Sequence, residues 1–318
     1  MGDDKSGREA DTVRPIGSSS SSDAALGPGH TSRASVDAAW RFLNDNRHAQ
    51  GVDSVDLPAL RRKIDWHIVP LMFCCYTMQF LDKVILNYAA VMGISKDLDL
   101  RNNDFSNVAT FLFVGLLCFE VPNTYFLQKV PAAKWLGLNV TLWGIATACG
   151  AAAHNYQTLL VSRIFLGIFE ATIGPSLMLI SSQWYTKSEQ APRFSFWYVG
   201  LGLGQIAGGA VSYAFQHIGP NAALAGWRIM FLVLGLVTVS FGLCTLALLP
   251  DTPMQARWMS TTEKVALLKH VSVNQTGIQS RRFRPKEVVE ALLDPQIWLL
   301  VIAVMLLTSV ILPSAPPS

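Results

Sequence analysis

Charge is what this sequence is shortest of. Only 15% of its 318 residues are Asp, Glu, Lys or Arg, whereas soluble domains carry about 25%. That shortage excludes an ordinary water-soluble globule. The formal net charge is +3, and the basic residues sit at the ends of apolar runs rather than in a patch, which excludes a nucleic-acid partner. All five cysteines (Cys74, Cys75, Cys118, Cys149, Cys244) lie inside apolar runs. None is placed to staple an external loop and no pair has metal-ligand spacing. They read as small buried hydrophobes. The first 60 residues hold no apolar stretch of the kind a cleavable signal peptide needs. No phosphate-binding glycine loop, zinc spacing or nucleophile elbow appears on a soluble segment. Neither an enzyme nor a cofactor is indicated.

The sequence instead has long apolar runs. A helix of ~20 apolar residues, rising 1.5 Å per residue, crosses a bilayer. Runs of that order cover 67–93, 105–127, 135–153, 157–180, 194–216 and 228–249, and a shorter one covers Ile297–Leu312. With 51% hydrophobic residues and a mean hydropathy of +0.32, the chain reads as an all-α membrane protein whose partner is the lipid bilayer. Basic residues set its orientation. With the N-terminus in the cytosol, the inner flanks hold Arg61, Arg62, Lys63, Lys129, Lys134, Lys187 and Arg193, and the long loop adds more. The outer flanks hold Lys96, Arg101 and Arg228. The N-terminus is therefore expected inside, which counts against a seven-helix receptor.

Four regions follow. Residues 1–60 read as a disordered cytosolic tail, polar and with an unbroken serine run from Ser18 to Ser22, although Val36–Phe42 and Asp56–Ile64 have helical character. Residues 61–249 form a six-helix transmembrane bundle. Residues 250–296 form a cytosolic central loop, and 297–318 a partial seventh helix on a chain that reads as truncated. In the loop, Ser260-Thr261-Thr262-Glu263 is a capping box that starts a helix to about Val271. Pro285 suits the first turn of a second helix ending at Leu293. Both are expected to lie along the inner membrane surface. The sequon Asn274-Gln275-Thr276 falls in the same loop, which argues against glycosylation there.

Asp82 and Lys83 stand side by side inside the first span. A charged side chain in hydrocarbon costs roughly 2.5–3.5 kcal/mol on insertion scales. Such residues face a protein interior or a water-filled cavity. One reading is a structural ion pair, and the other is a solute and proton site. Arg163 and Glu170 of the fourth span are seven residues apart, on one face and ~10 Å apart along the axis. Asp82 lies ~22 Å from the inner end of its span and Arg163 ~10 Å from its outer end, which brings them to similar depths. Asn87, one turn after Lys83, is a candidate polar lining residue. Glu120 is expected near the cytosolic side, within reach of Lys129 or Lys187, in a structural or gating role. Gly200, Gly204 and Gly208 recur every four residues in the fifth span, a ridge for close helix packing.

On these motifs the chain resembles the major facilitator superfamily, and within it the anion:cation symporter family, in its fungal allantoate-permease-like branch. The resemblance covers roughly Arg62–Leu300 and rests on FLDKVILNYAAVMGI, EVPNTYFLQKVPAAKWLG, SRIFLGIFEATIGPSLMLISSQWYTKSEQAPR, GWRIMFLVLGL and LPDTP. It implies two six-helix bundles around a central cavity, of which this chain carries the N-terminal bundle and part of a seventh helix. It implies proton-coupled symport of a small organic anion such as allantoate, ureidosuccinate, nicotinate or pantothenate, in the plasma membrane. Asp82 and Glu170 match the proton-linked acids. Lys83 matches the anion contact, and Arg163 a substrate-site arginine that partners Glu170. Two departures stand out. Asn123-Thr124-Tyr125-Phe126-Leu127 lacks the aspartate of the superfamily's general loop motif, and Gln205 replaces the proline of the drug-antiporter pattern. The length points to a missing C-terminal half, so the alternatives are a truncated, non-transporting fragment or a superfamily member for another solute class.

Overall fold

The computed structural model describes residues 38–46, 52–217, 224–272 and 285–311. The serine run and the sequon lie outside them. Among the described residues every regular element is helical. In chain order they are α1 (Ala38–Asp45), α2 (Leu57–Val91), α3 (Ile94–Asp97), α4 (Asp104–Lys129), α5 (Ala132–Gly150) and α6 (Tyr156–Glu170). Then come α7 (Ile173–Trp184), α8 (Lys187–Gln216), α9 (Gly226–Leu248), α10 (Thr261–Val271), α11 (Pro285–Leu293) and α12 (Pro295–Ile311).

Local chemistry sets the helix starts. Asn155 Oδ1 accepts the Thr158 amide at 2.8 Å while Thr158 Oγ1 accepts the Asn155 amide at 3.3 Å, a closed cap that opens α6. Glu189 accepts the Thr186 amide at 3.0 Å to open α8. At α10 the Ser260–Glu263 box forms in both directions, at 3.2 and 2.7 Å. The fourth span runs from Tyr156 to Trp184, as expected from the sequence, but its hydrogen-bond ladder is interrupted once. It breaks at Ala171–Thr172, immediately after Glu170. Pro175 has no amide hydrogen, so the Ala171 carbonyl four residues earlier loses its helical donor, while Ala171 and Thr172 keep right-handed helical dihedrals.

Four helical stretches are long and apolar enough to cross a membrane, namely α2, α4, α6 with α7, and α9. The helices α5 and α8 fall short by that measure. They carry polar or small residues, Asn139 and Thr147 in α5 and the glycines of α8, at buried positions inside the bundle. The main pairings run α4 on α6, α6 on α5, α5 on α9, α9 on α2 and α2 on α8.

Glycine sets the closest contacts. Gly137 and Gly144 of α5 lie against Leu246 and against Val239 and Gly235 of α9, and Gly235 and Gly242 of α9 lie against Ala148 and Thr141 of α5. A Cβ added at Gly144 would lie 2.6 Å from the Val239 nitrogen, and one at Gly235 would lie 2.5 Å from the Ala148 nitrogen. The ridge of Gly200, Gly204 and Gly208 lies on α2. A Cβ at Gly200 would meet Thr77 Oγ1 at 2.5 Å, and one at Gly208 the Tyr88 ring at 2.6 Å. Only hydrogen at these positions lets the backbones approach so closely.

The apolar interior forms two main clusters. One gathers Ile64, Ile68, Met72, Trp143, Ile180 and Trp184 toward the α10 end. The other gathers Ile85, Val108, Leu159, Trp227 and Phe231 toward the opposite end. Polar and charged side chains lie between them.

The helix α10, expected along the inner membrane surface, packs its apolar residues against the bundle. Val265, Ala266, Leu267, Leu268 and Val271 are all buried, and α10 contacts α2 and α7. Its outer side is covered by α1, where Ala39, Phe42 and Leu43 pack around Leu268. Part of the segment expected as a tail is therefore folded onto the bundle. Its apolar contacts are non-local, so a count of charges along α10 does not reveal them. Every described apolar side chain of α12 is exposed.

Candidate functional site

The intramembrane charges meet between the two apolar clusters, but in a different pairing from the expected one. Asp82 and Lys83 are consecutive, so their side chains leave α2 about 100° apart. Asp82 turns inward and is 5% exposed. Its Oδ1 accepts the Thr147 hydroxyl of α5 at 3.0 Å, and its Oδ2 lies 3.7 Å from Arg163 Nη1 of α6. Arg163 is 2% exposed and its guanidinium sits over the Phe231 ring, 4.8 Å from the centroid. Lys83 turns the other way. Its Nζ lies 3.2 Å from Glu170 Oε1, which also accepts Gln79 Nε2 at 3.1 Å. Arg163 is therefore the partner of Asp82 and not of Glu170. Two turns of helix separate Arg163 from Glu170, and each reaches α2 at the level of a different acid or base.

Both pairs are incompletely hydrogen-bonded. Asp82 Oδ2, Arg163 Nη1 and Glu170 Oε2 are buried with no hydrogen-bond partner. Thr172 Oγ1 and Ser176 Oγ, just past the helix break, are buried and unpartnered as well. A contact of 3.7 Å is Coulombic attraction without a hydrogen bond. Buried charges held this way recover little of their desolvation cost. Lys83 differs from the other three, since its side chain keeps 34% of its surface accessible while that of Glu170 keeps 0%. Asn87 is exposed on the same α2 face, and Gln79, Lys83 and Asn87 form a stripe with four-residue spacing.

Of the other expected site residues, Arg163 does not line the open face. Glu120 is exposed on α4, and among the described residues no basic group pairs with its carboxylate, Lys129 and Lys187 included. Lys129 instead lies over the Tyr125 ring at 5.0 Å. Sequence reasoning missed Thr147 and Gln79, the hydroxyl and amide that hold the two acids. Gln79 was findable from its spacing one turn before Lys83. Thr147 carried no local signal.

A second charged network, also missed, ties α10 to the bundle end. Arg193 of α8 forks onto Asp65 of α2, with Nε at 2.8 Å and Nη2 at 2.6 Å from its two oxygens, and stacks on Tyr185 at 4.0 Å. Glu189 receives Arg61 at 2.7 Å and His270 of α10 at 3.0 Å. Lys63 reaches Glu263 of α10 at 2.9 Å. Trp258 stacks between His67 and Trp184, at 4.3 and 5.8 Å. Burial pushes the Glu189 carboxyl up, but the Thr186 amide and His270 outweigh it and hold it below the ordinary carboxylate value. At Glu263 burial likewise pushes up, and Lys63 with the Ser260 amide holds the carboxyl down.

Comparison with known proteins shows the family. The family model of the Major Facilitator Superfamily matches residues 72–317. The Thiamine pathway transporter of Saccharomyces cerevisiae is 43% identical over 242 residues, 76% of this chain and 46% of that protein. The Allantoate permease of the same yeast is 31% identical over 267 residues, 83% of this chain and 49% of that protein. The chain spans about half the length of the curated relatives it matches. Among solved structures, a bacterial homologue of the human lysosomal transporter Spinster, inward-facing and occupied, superposes with a TM-score of 0.53 at 17% identity. That match covers 57% of this chain and 44% of the other.

Proposed function

The chain belongs to the Major Facilitator Superfamily, and from that membership we propose that it supplies the first six-helix bundle of a proton-coupled symporter for a small organic anion. The solute class is allantoate, ureidosuccinate, nicotinate, pantothenate or a similar carboxylate. The name of the Thiamine pathway transporter adds compounds of that pathway. The observation that carries the reading is Lys83, a cation at mid-bundle that is bonded to a buried acid yet keeps an accessible side.

In this proposal the anion approaches Lys83 from its open side, with Asn87 beside it, and competes with Glu170 for the ammonium. A buried carboxylate that loses its cation is too costly to leave charged in apolar surroundings and takes up a proton. Proton and anion then travel together, and release of both restores the Lys83–Glu170 pair. Asp82 is the second acid, coupled through Arg163. The helix break after Glu170 supports this, since interrupted helices with unpaired polar groups are a common way to build midplane solute sites. Residues 61–249 form the membrane bundle in this reading. The N-terminus and the central loop of 250–296 are cytosolic, the membrane is the plasma membrane, and a second bundle supplies the cavity's opposite wall.

The test is uptake into vesicles containing this bundle together with a second six-helix bundle, as in a full-length protein, under an inward acid gradient, with labelled allantoate, ureidosuccinate, nicotinate and pantothenate. Uptake of one of them that collapses with the gradient and is lost in Lys83→Ala is expected. Uptake unaffected by Lys83→Ala removes the site assignment. No uptake of any solute by the unmodified two-bundle protein removes the symport reading and leaves that of a non-transporting membrane fragment.

A further inference from the structure

Three consecutive basic residues open α2, and two of them are engaged. Arg61 pairs with Glu189 at 2.7 Å and Lys63 with Glu263 at 2.9 Å. Arg62, between them, is exposed and has no ion pair or hydrogen bond among the described residues. Its side chain stands instead at one end of a groove of about 500 Å³ on the outer side of α2 and α8. Below it the groove is lined by Trp66, Val69, Pro70, Phe73 and Phe196. Phe73 and Phe196 form its wall, with ring centroids 4.9 Å apart. The remaining charged lining residue, Asp65, has both oxygens taken by Arg193. Arg62 is thus the one charge at the groove that no described group neutralises.

We infer that this groove holds one anionic phospholipid, with its phosphate on Arg62 and an acyl chain along the apolar floor. Charge complementarity argues for it, because a guanidinium grips phosphate oxygens in pairs. The dimensions agree. From Arg62 to Cys74, the far lining residue, α2 rises ~18 Å, close to one leaflet's half of a ~30 Å hydrocarbon core. Trp66 is 81% exposed between the charge and the apolar floor, the level at which an indole suits the boundary between headgroup and chain. Pro70 leaves the Trp66 carbonyl without its helical donor, which adds an acceptor for a headgroup hydroxyl or amine. Basic pockets between membrane helices next to a polar surface suit anionic headgroups in this way.

The experiment is native mass spectrometry of the full chain released from nanodiscs of phosphatidylcholine doped with phosphatidylserine. One phosphatidylserine per chain is expected to be retained in preference to phosphatidylcholine. Arg62→Ala lowers that retention about tenfold, the loss of one charge-assisted hydrogen bond. Lys129→Ala, which removes an equal charge elsewhere, leaves it unchanged. Val69→Trp, which fills the groove and keeps Arg62, expels the lipid. Equal retention of the two lipids, equal effects of Arg62→Ala and Lys129→Ala, or retention through Val69→Trp each overturns the inference. Displacement of the lipid by millimolar inorganic phosphate overturns it in favour of a free-anion site.

Discussion

The two charged networks of this bundle are built to opposite rules. At the α10 end the contacts are short and mostly hydrogen-bonded: Arg193 forks onto Asp65 at 2.6 and 2.8 Å, and Glu189 and Glu263 serve at once as ion partners and helix caps, while Arg61 Nε is the one charged donor there without a hydrogen-bond partner. At mid-bundle the separations are 3.2 and 3.7 Å, and a carboxylate oxygen of each acid has no hydrogen-bond partner. The better-bonded network lies where water can reach much of it, whereas Asp82, Arg163 and Glu170 are buried and Lys83 alone of the four keeps an accessible side. Desolvation would favour the reverse if both served only stability, since incomplete hydrogen bonding costs most in the dry interior. In the proposed mechanism the mid-bundle network exchanges partners, which a saturated one could not do.

The largest expected effect comes from breaking the mid-bundle pair. Asp82→Asn leaves Arg163 buried without a counter-charge and should lower stability by about 3–5 kcal/mol, read as a fall in the melting transition in detergent. Replacing Arg163 with Met in the same chain should restore much of it. An unchanged melting point for the single variant would place that pair with the surface networks. A smaller effect is expected at the other network. Arg193→Lys loses the fork onto Asp65 and should cost about 1 kcal/mol, with faster hydrogen exchange at the start of α8. A loss as large as that of Asp82→Asn would erase the contrast between the two.

The smallest effect is pH. Glu189 and Glu263 are both held below the ordinary carboxylate value in the folded chain. Their stabilising contribution is therefore fully present above the ordinary value near 4.3 and is lost as pH falls through the lowered folded value. Acidification below about pH 4 should raise exchange in α10 before it does so in α5 or α9. Simultaneous loosening of all three would show that α10 has no independent fastening.

Much of this was legible in the chain. Apolar run lengths located the bundle helices, the Ser260 box located α10, and the four-residue glycine spacing marked a packing ridge on α8 without saying that α2 lies on it. The cross-pairing was not legible, because Asp82 and Lys83 are neighbours in sequence but diverge around the helix. Their partners depend on which helices flank α2. The break after Glu170 had a signal in Pro175, which acts four residues upstream of itself. The docking of α10 depends on Ala39, Phe42 and Leu43, more than two hundred residues away in sequence, and no periodicity within α10 encodes that.

The glycine contact between α5 and α9 has a practical consequence. Four positions admit only hydrogen there, and the backbones interlock so closely that neither helix can slide along the other without a clash. The pair is therefore a natural frame of reference for the molecule. Spectroscopic labels on Leu138 and Leu243, both exposed on these helices, would keep a constant separation. They give a built-in ruler against which displacement of any other helix can be measured.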